Sequence, residues 1–371
     1  MTRSTSLFGI FGIKRQRAAI PPRPIDFNVK QNGSICRNAW RTPPSPRPTG
    51  RGIEGEGQAR TARTGHPLTI LVSLMFLILS VLGCKPSAQE EVIIYAAQDQ
   101  VYAEPILRDF EKETGIKVKA VYDSEAVKTV GLANRLIAER AHPQCDVFWG
   151  NEEMRTRQLA AQNVFREPNG WAAFGHRSRR IVVNTNKLSL ADAPKSLLEL
   201  TNETWRGKVA LALPQFGTTA THFHALRQAW GEARWLDWGR ALVTNKPFVV
   251  DGNSVVVKFV GRGEAWIGLT DSDDIAAAQR DGAPLAALPL TDEALLIPNT
   301  VAVIRNAPHT INAQKLFEYL QRREVAGKLV QANALEGTGE PTEGTTLKPD
   351  WNVLLRDLEI TTGLLNEVFR R

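Results

Sequence analysis

Apolar and polar positions along this chain change their rhythm at Val92, where short apolar runs begin to alternate with helical stretches. Residues 92–95 form an apolar run of the kind a fully buried parallel strand needs, and the polar turn 97–100 follows. Over 101–114 the residues Ile106, Leu107 and Phe110 recur at helical spacing, with Pro105 in the first turn and Gly115 as the stop. Alternation over 116–122 predicts a strand, and Val130, Ala133, Leu136 and Ile137 mark the inner face of a helix over 126–140. The next strand is expected at 146–149. Strands separated by helices at this spacing imply a parallel sheet with crossovers. The polar turns 98–100, 123–125 and 151–153 should then gather at its carboxyl edge, where open α/β sheets place ligands.

The texture repeats further on. Strands are expected over 180–184, 209–213, 248–250, 265–269 and 300–304, and helices over 220–230, 233–244, 275–280, 311–320, 325–331 and 351–369. Residues 186–207 read as a connector with one helix at 197–200. The loops 251–254 and 270–274 give this second α/β lobe a polar edge of its own. Leu354, Leu355, Leu358 and Leu365 lie on one helical face and are expected in the core. There is no repeat of solenoid period and no heptad run.

Upstream of Val92 different rules apply. Residues 1–66 are rich in Arg, Pro, Gly, Ser and Thr, cannot bury a core, and read as a disordered basic leader or a misassigned start. The uncharged apolar run 67–83 then reads as the hydrophobic region of a secretory signal, at a length just short of a membrane-spanning helix. Val81-Leu82-Gly83-Cys84 resembles the bacterial lipobox, in which cleavage precedes a cysteine that carries lipid, so Cys84 is the expected lipidation site and 84–91 a short tether. Net charge follows this division. The chain carries +7, but residues 1–66 hold 12 basic and 3 acidic residues, leaving 34 basic and 36 acidic from Cys84 onward. Bulk charge therefore offers no argument for nucleic acid. Cys145, the one cysteine between Cys84 and the C-terminus, sits beside an expected buried strand and reads as inert core.

Two patterns carry candidate chemistry. Residues 216–221 place a small-residue turn between a strand and a helix start, which leaves backbone N–H groups aimed at one point and suits a phosphate, carboxylate or carbonate; the blander reading is that Thr218 or Thr219 caps the helix. The segment 270–274 presents Asp271, Asp273 and Asp274 after a buried strand, a set that suits a hard cation or a cationic organic ligand, or caps the following helix. Glu152 and Glu153 add an acidic wall or serve as first-turn residues, and Asp99, Asp123 and Glu125 stand in the same position. His222 and His224, two apart on a helix, point to different faces and do not suit zinc. No nucleophile elbow, catalytic triad, P-loop or dinucleotide fingerprint is present. Trp149 adjoins a crevice loop and could stack on a ligand.

With these residues in their order, 84–371 resembles the bacterial extracellular solute-binding proteins of ABC importers, in the two-lobed group that includes ferric-iron-binding proteins. The carriers are residues 92–95, 110–118, 146–148 and 177–183, together with Asn253-Ser254 and Gly263-Glu264-Ala265. The resemblance implies a type II periplasmic-binding-protein-like α/β fold, each lobe a mixed, mainly parallel sheet flanked by helices, with the ligand between the lobes. Lobe 1 is expected over 92–180 plus 300–345 and lobe 2 over 185–295 plus 350–371, with crossing strands near 181–184 and 296–300. It implies a non-enzymatic, monomeric, lipid-anchored capture protein on the outer face of the cell envelope, handing a metal ion with a synergistic anion to an ABC permease. A phosphorylated or carboxylate metabolite is the alternative ligand, and a metal-dependent hydrolase built on Asp271, Asp273 and Asp274 a distant one.

Site residues follow the same resemblance. Gly217, Thr218, Thr219, Asn253 and Ser254 look like the anion-holding positions. Asp99, Asn151, Glu152, Asp271, Ser272 and Asp273 are the candidates for a metal or other cation. The chain departs from the ferric pattern: Gln98-Asp99 stands where a His is typical, Asn151 is in register with the acidic ligand, and Ser272-Asp273 replaces the adjacent tyrosines. Iron is therefore a possible cargo without its usual ligands, and no resident cofactor is expected.

Overall fold

A computed structural model describes residues 90–122, 128–167, 170–339 and 346–370. The leader, the apolar run 67–83, Cys84, most of the tether, Asp123 and Glu125 lie outside the described residues. Strand β1 (Glu91–Ala96) pairs in parallel with β2 (Lys117–Tyr122) and β3 (Val147–Gly150), as its apolar run predicts. The crossovers are α1 (Gln100–Thr114), closed by Gly115 at φ 72°, and α2 (Lys128–Ala138). Tyr102, Ile106, Leu107 and Phe110 bury the inner face of α1.

Beyond β3 the sheet continues through β9 (Leu296–Val303), β4 (Trp171–Asn184), β7 (Ile267–Asp271), β5 (Val209–Ala212) and β6 (Phe248–Val250), in the order β2-β1-β3-β9-β4-β7-β5-β6, with β8 (Leu285–Ala287) pairing off this path with β4. Strands β5 (Val209–Ala212), β6 (Phe248–Val250) and β7 (Ile267–Asp271) are mutually parallel through β5. The mixed α/β architecture with flanking helices is thus the expected one. Between the two parallel sets run the long antiparallel strands β4 (Trp171–Asn184) and β9 (Leu296–Val303). β4 pairs with β9 from Trp171 to Ser178 and with β7 from Arg179 to Val183. The change of partner falls between Ser178 and Arg179. Gly175, at φ 61° beside a register shift between Phe174 and His176, bends the strand ahead of it. An added Cβ there would sit 2.5 Å from Leu335 Cδ1, so the position requires glycine.

Buried apolar residues separate in the same way. Ile94, Phe110, Phe148, Val301 and Leu316 belong to one core, whereas Leu211, Phe223, Trp238 and Leu365 belong to another, with Val256 and Val260 in a third beside it.

Several elements were not legible. α3 (Glu153–Ala161) and α6 (Asn253–Gly261) begin in the polar turns 151–153 and 251–254 and run on through stretches where no element was expected, and β4 begins well before residue 180. The α6 segment holds four valines, poor helix formers, but Val256, Val257 and Val260 bury one face, and packing outweighs propensity. The expected C-terminal helix is two, α10 (Trp351–Arg356) and α11 (Leu358–Val368), with Leu354, Leu358 and Leu365 buried and Leu355 half-buried. The remaining helices, α4 (Gly217–Trp230), α5 (Glu232–Thr244), α7 (Ser272–Arg280), α8 (Thr310–Leu320) and α9 (Arg323–Gln331), lie where the periodicity puts them, extended at their starts. No helix among the described residues is long and apolar enough to cross a membrane.

Candidate functional site

Because β5, β6 and β7 run the same way, the helices that follow them, α4, α6 and α7, all begin at one edge of the sheet. β1 and β3 deliver Asp99 and Asn151 to the same place. The result is a cavity of about 60 Å³ lined by Asp99, Thr129 and Asn151 on one side. Arg177, Phe216, Gly217, Thr218, Thr219, Asp251, Asn253, Asp271, Asp273 and Asp274 line the other. Gly217 opens α4 at φ 55°, a backbone that favours glycine, and no side chain at Phe216 caps the helix. α6 likewise starts from Gly252 without a side-chain cap. These N-termini therefore present backbone donors and positive dipole ends to the cavity.

Asp271 is the hub of the wall. One carboxylate oxygen accepts from Arg179 Nη1 at 2.7 Å. The other accepts from Thr218 Oγ1 at 2.7 Å, Asn253 Nδ2 at 3.1 Å and the Arg177 guanidinium at 3.4 Å. Arg177 Nε also lies 3.3 Å from Asp273 Oδ1, and its Nη1 donates to Asn299 Oδ1 at 3.1 Å. Asn299 Nδ2 in turn donates to Gln98 Oε1 at 2.9 Å. Arg179 Nη1 completes the set by donating to Asn253 Oδ1 at 3.0 Å.

Burial opposes ionisation of Asp271, yet the Arg179 and Arg177 guanidiniums together hold its carboxyl below its ordinary value. Asp273 behaves oppositely: burial pushes it up to about 7, against the pull of Arg177. Arg177 is raised despite burial, by the charges of Asp273 and Asp271.

Of the residues singled out from the sequence, Gly217, Thr218, Thr219, Asn253, Asp99, Asn151, Asp271 and Asp273 line this cavity. Three do not. Glu152 is buried as the N-cap of α3, accepting from Met154 N at 2.8 Å, Arg155 N at 3.0 Å and Thr221 Oγ1 at 2.9 Å. Ser272 turns away; its hydroxyl accepts from Ser178 N at 3.2 Å and it lines a separate hollow with His176 and Glu336. Ser254, one residue into α6, is half-buried outside the lining.

Asp271 occupies the N-cap position of α7, but its side chain makes no cap bond, so the capping explanation does not account for it. Trp149 is sealed in the core against Phe174 and cannot stack on a ligand, because its pleat face points inward. Cys145 is fully buried and burial raises its thiol far from reactivity.

Arg177 and Arg179 are the residues that sequence reasoning missed. Two arginines at i and i+2 share one strand face, and on a strand flanked by apolar residues that pairing is a legible signal. Asn299, on β9, carries no comparable mark.

Among the described residues, Asp271, Asp273 and Asp274 form the cluster whose oxygens lie within 4.8 Å of one another, and Asp99 and Asp251 line the same cavity. Both oxygens of Asp271 are already engaged, and a buried guanidinium stands among the carboxylates. Tyr102 feels the charges of Asp273, Asp274 and Asp99, but burial first and these charges next push its phenol up to about 12, away from a phenolate.

A family model described as bacterial extracellular solute-binding protein matches residues 92–332. The Fe(3+)-binding periplasmic protein of Serratia marcescens is 32% identical over 221 residues, 55% of this chain and 62% of that protein. The chain thus spans less than two thirds of that relative. The major ferric iron-binding protein of Neisseria gonorrhoeae is 25% identical over 273 residues, 67% of this chain and 81% of that one. Iron-bound HitA from Pseudomonas aeruginosa shares the fold, with a TM-score of 0.65 at 19% identity, covering 76% of this chain and 99% of HitA. The strand order, the cavity at the helix starts and a family match over most of the described chain have one meaning: this protein belongs to the bacterial extracellular solute-binding proteins.

Proposed function

We propose that this protein captures a small extracytoplasmic ligand carrying an oxyanion group and presents it to the permease of an ABC importer, without catalysing a reaction. The observation that carries this reading is the convergence of the uncapped starts of α4 and α6 on one cavity, with Thr218 and Asn253 held in place by Asp271. The ferric iron-binding proteins among the relatives support a ferric ion as one form of the ligand, which the donor-rich helix starts would accompany with an anion. The Arg177 guanidinium in the wall favours the other, an anionic organic solute such as a phosphorylated or carboxylate metabolite. Hydrolysis assisted by a metal on Asp271, Asp273 and Asp274 is disfavoured by the same guanidinium.

The remaining parts of the reading are lobes over 92–180 plus 300–345 and over 185–295 plus 350–371, a monomer, and an anchor through lipid on Cys84 at the outer face of the envelope. N-terminal mass spectrometry tests the anchor: a chain starting at a lipid-modified Cys84 is expected, and an unmodified Cys84 removes it. Native mass spectrometry of the protein as purified, followed by thermal-shift titration with phosphate, phosphate esters, citrate and ferric salts, tests the capture. A ligand present at 100 times its Kd should add about 2.7 kcal/mol of stability. If no anion or metal complex stabilises the chain, the capture reading fails.

A further inference from the structure

We infer that a second hollow, walled by the segments 190–197 and 288–294, is a binding site for a small uncharged molecule with an apolar body and a hydroxyl group. The inference is independent of the capture reading. This hollow has a volume of about 340 Å³, against about 60 Å³ for the cavity at the helix starts. Most of its lining is apolar, including Leu190, Pro194, Leu197, Leu269, Leu288 and Pro289. Its walls are tied by hydrogen bonds within the chain. Leu197 N donates to the Glu293 carboxylate, Trp238 Nε1 donates to Leu197 O at 2.8 Å, and Arg180 Nη1 donates to Leu288 O at 3.2 Å. The hollow is thus formed before anything enters it, as small-molecule sites commonly are.

Two polar side chains in the lining are incompletely paired. His222 and Arg179 both line the hollow and are each 1% exposed. His222 Nε2 lies 2.7 Å from the Glu293 carbonyl oxygen, which can only accept, so the ring carries its proton on Nε2. Burial first, and the charge of Arg179 next, push the imidazole down to about 3, so the ring is neutral and Nδ1 is a bare acceptor. Among the described residues nothing donates to it. Arg179 commits Nη1 to Asp271 and Asn253 and Nη2 to the Leu269 carbonyl, while its Nε–H meets no acceptor among the described residues. Buried groups left in this state are costly, and a ligand that pairs with them recovers the cost.

These two nitrogens select the ligand's polar group, which must donate to one and accept from the other. A carboxylate offers only acceptors and has nothing to give His222 Nδ1, whereas an ammonium would meet the charge of Arg179. A hydroxyl does both and carries no charge. Water makes the same bonds, but water filling the whole hollow would stand largely against apolar walls, short of the roughly two to four polar partners that a buried water needs. A cavity of about 150 Å³ already houses a benzene, so a body on the order of a dozen non-hydrogen atoms fits this one.

The test is saturation-transfer NMR titration of the full chain with benzyl alcohol, toluene, benzoate and benzylamine. Benzyl alcohol should bind at least about tenfold more tightly than each of the other three, the factor expected when two buried groups gain their hydrogen bonds. No binding of the alcohol up to its solubility, or equal binding of toluene, overturns the inference. Leu288→Trp fills the hollow at a residue outside the cargo cavity and should abolish binding of the alcohol. Unchanged binding in that variant places the alcohol elsewhere and overturns the inference too. His222→Phe keeps the ring but removes the acceptor, and should erase the preference for benzyl alcohol over toluene; a folded variant that keeps the preference counts against the pairing. The ligand series is run on the parent chain, so it decides the question even where a variant does not fold. Capture at the helix starts is untouched by any of these results, since the phosphate and ferric titrations test it separately.

Discussion

Gly217 and Asp271 show how much of the site is a matter of single residues. Gly217 holds φ 55° where α4 begins, and an added Cβ would meet nothing within 4 Å. Gly217→Ala should therefore cost only the left-handed backbone, about 1 kcal/mol by urea unfolding, while weakening anion binding as the first N–H groups shift. Unchanged affinity would separate Gly217 from the ligand. Asp271 was legible as one of three clustered acids, but not its partners, because a carboxylate and an arginine 92 positions away reveal nothing of each other in sequence. That is also why the acidic cluster reads from sequence as a metal site and from structure as the seat of two guanidiniums.

At the scale of elements, periodicity found most strands and helices but not the body of α3, whose start was marked only by the reading of Glu152 and Glu153 as first-turn residues. The Glu152 carboxylate caps α3 and reaches Thr221 on α4, so it ties together helices from the two parallel sets of the sheet. Glu152→Ala leaves buried donors at Met154 and Arg155 without their acceptor and should cost about 2–4 kcal/mol. The folded variant should bind anions as the parent does, since Glu152 does not line the cavity. A stable variant with impaired binding would return Glu152 to the site. β4 escaped prediction over its first half for a related reason. Polar and charged residues from His176 to Arg180 mask a strand whose Arg177, Ser178 and Arg179 are buried by neighbours far along the chain.

For the whole molecule, the pH dependence of stability is set by buried groups of opposite sign. Burial first, with the charge of Arg179 next, pushes His222 down to about 3, and burial with Arg155 and Arg227 does the same to His224. The unfolded chain binds these two protons below its ordinary pKa of 6.5 while the fold does not, so stability is complete above 6.5 and lost as pH falls. Asp273, raised to about 7, works the other way, because the fold takes up its proton before the unfolded chain does. Glu152 and Glu293, raised by burial, act in the same sense as Asp273, so the two histidines are read by difference, as a loss on the order of 3 kcal/mol between pH 6.5 and 5 in the parent relative to a variant without them. In the double variant His222→Gln, His224→Gln the slope should vanish or reverse. Urea midpoints across that range measure it, and an undiminished slope would assign it elsewhere.

The sequence by itself determined the α/β class and the places of most elements, because apolar periodicity and turn residues act over a few positions and survive without neighbours, while the order of its motifs carried the family resemblance. It also marked Asp99, Asn151, Gly217, Thr218, Asn253, Asp271 and Asp273, since strand ends and helix starts in a parallel sheet must share an edge. Only the tertiary structure decided which polar groups meet. Burying Arg177 and Arg179 against Asp271 requires β4 and β7 to lie side by side, and a pairing between residues 179 and 271 is set by the sheet register and by nothing local. That register turns the cluster of acids into the frame for a fixed positive charge.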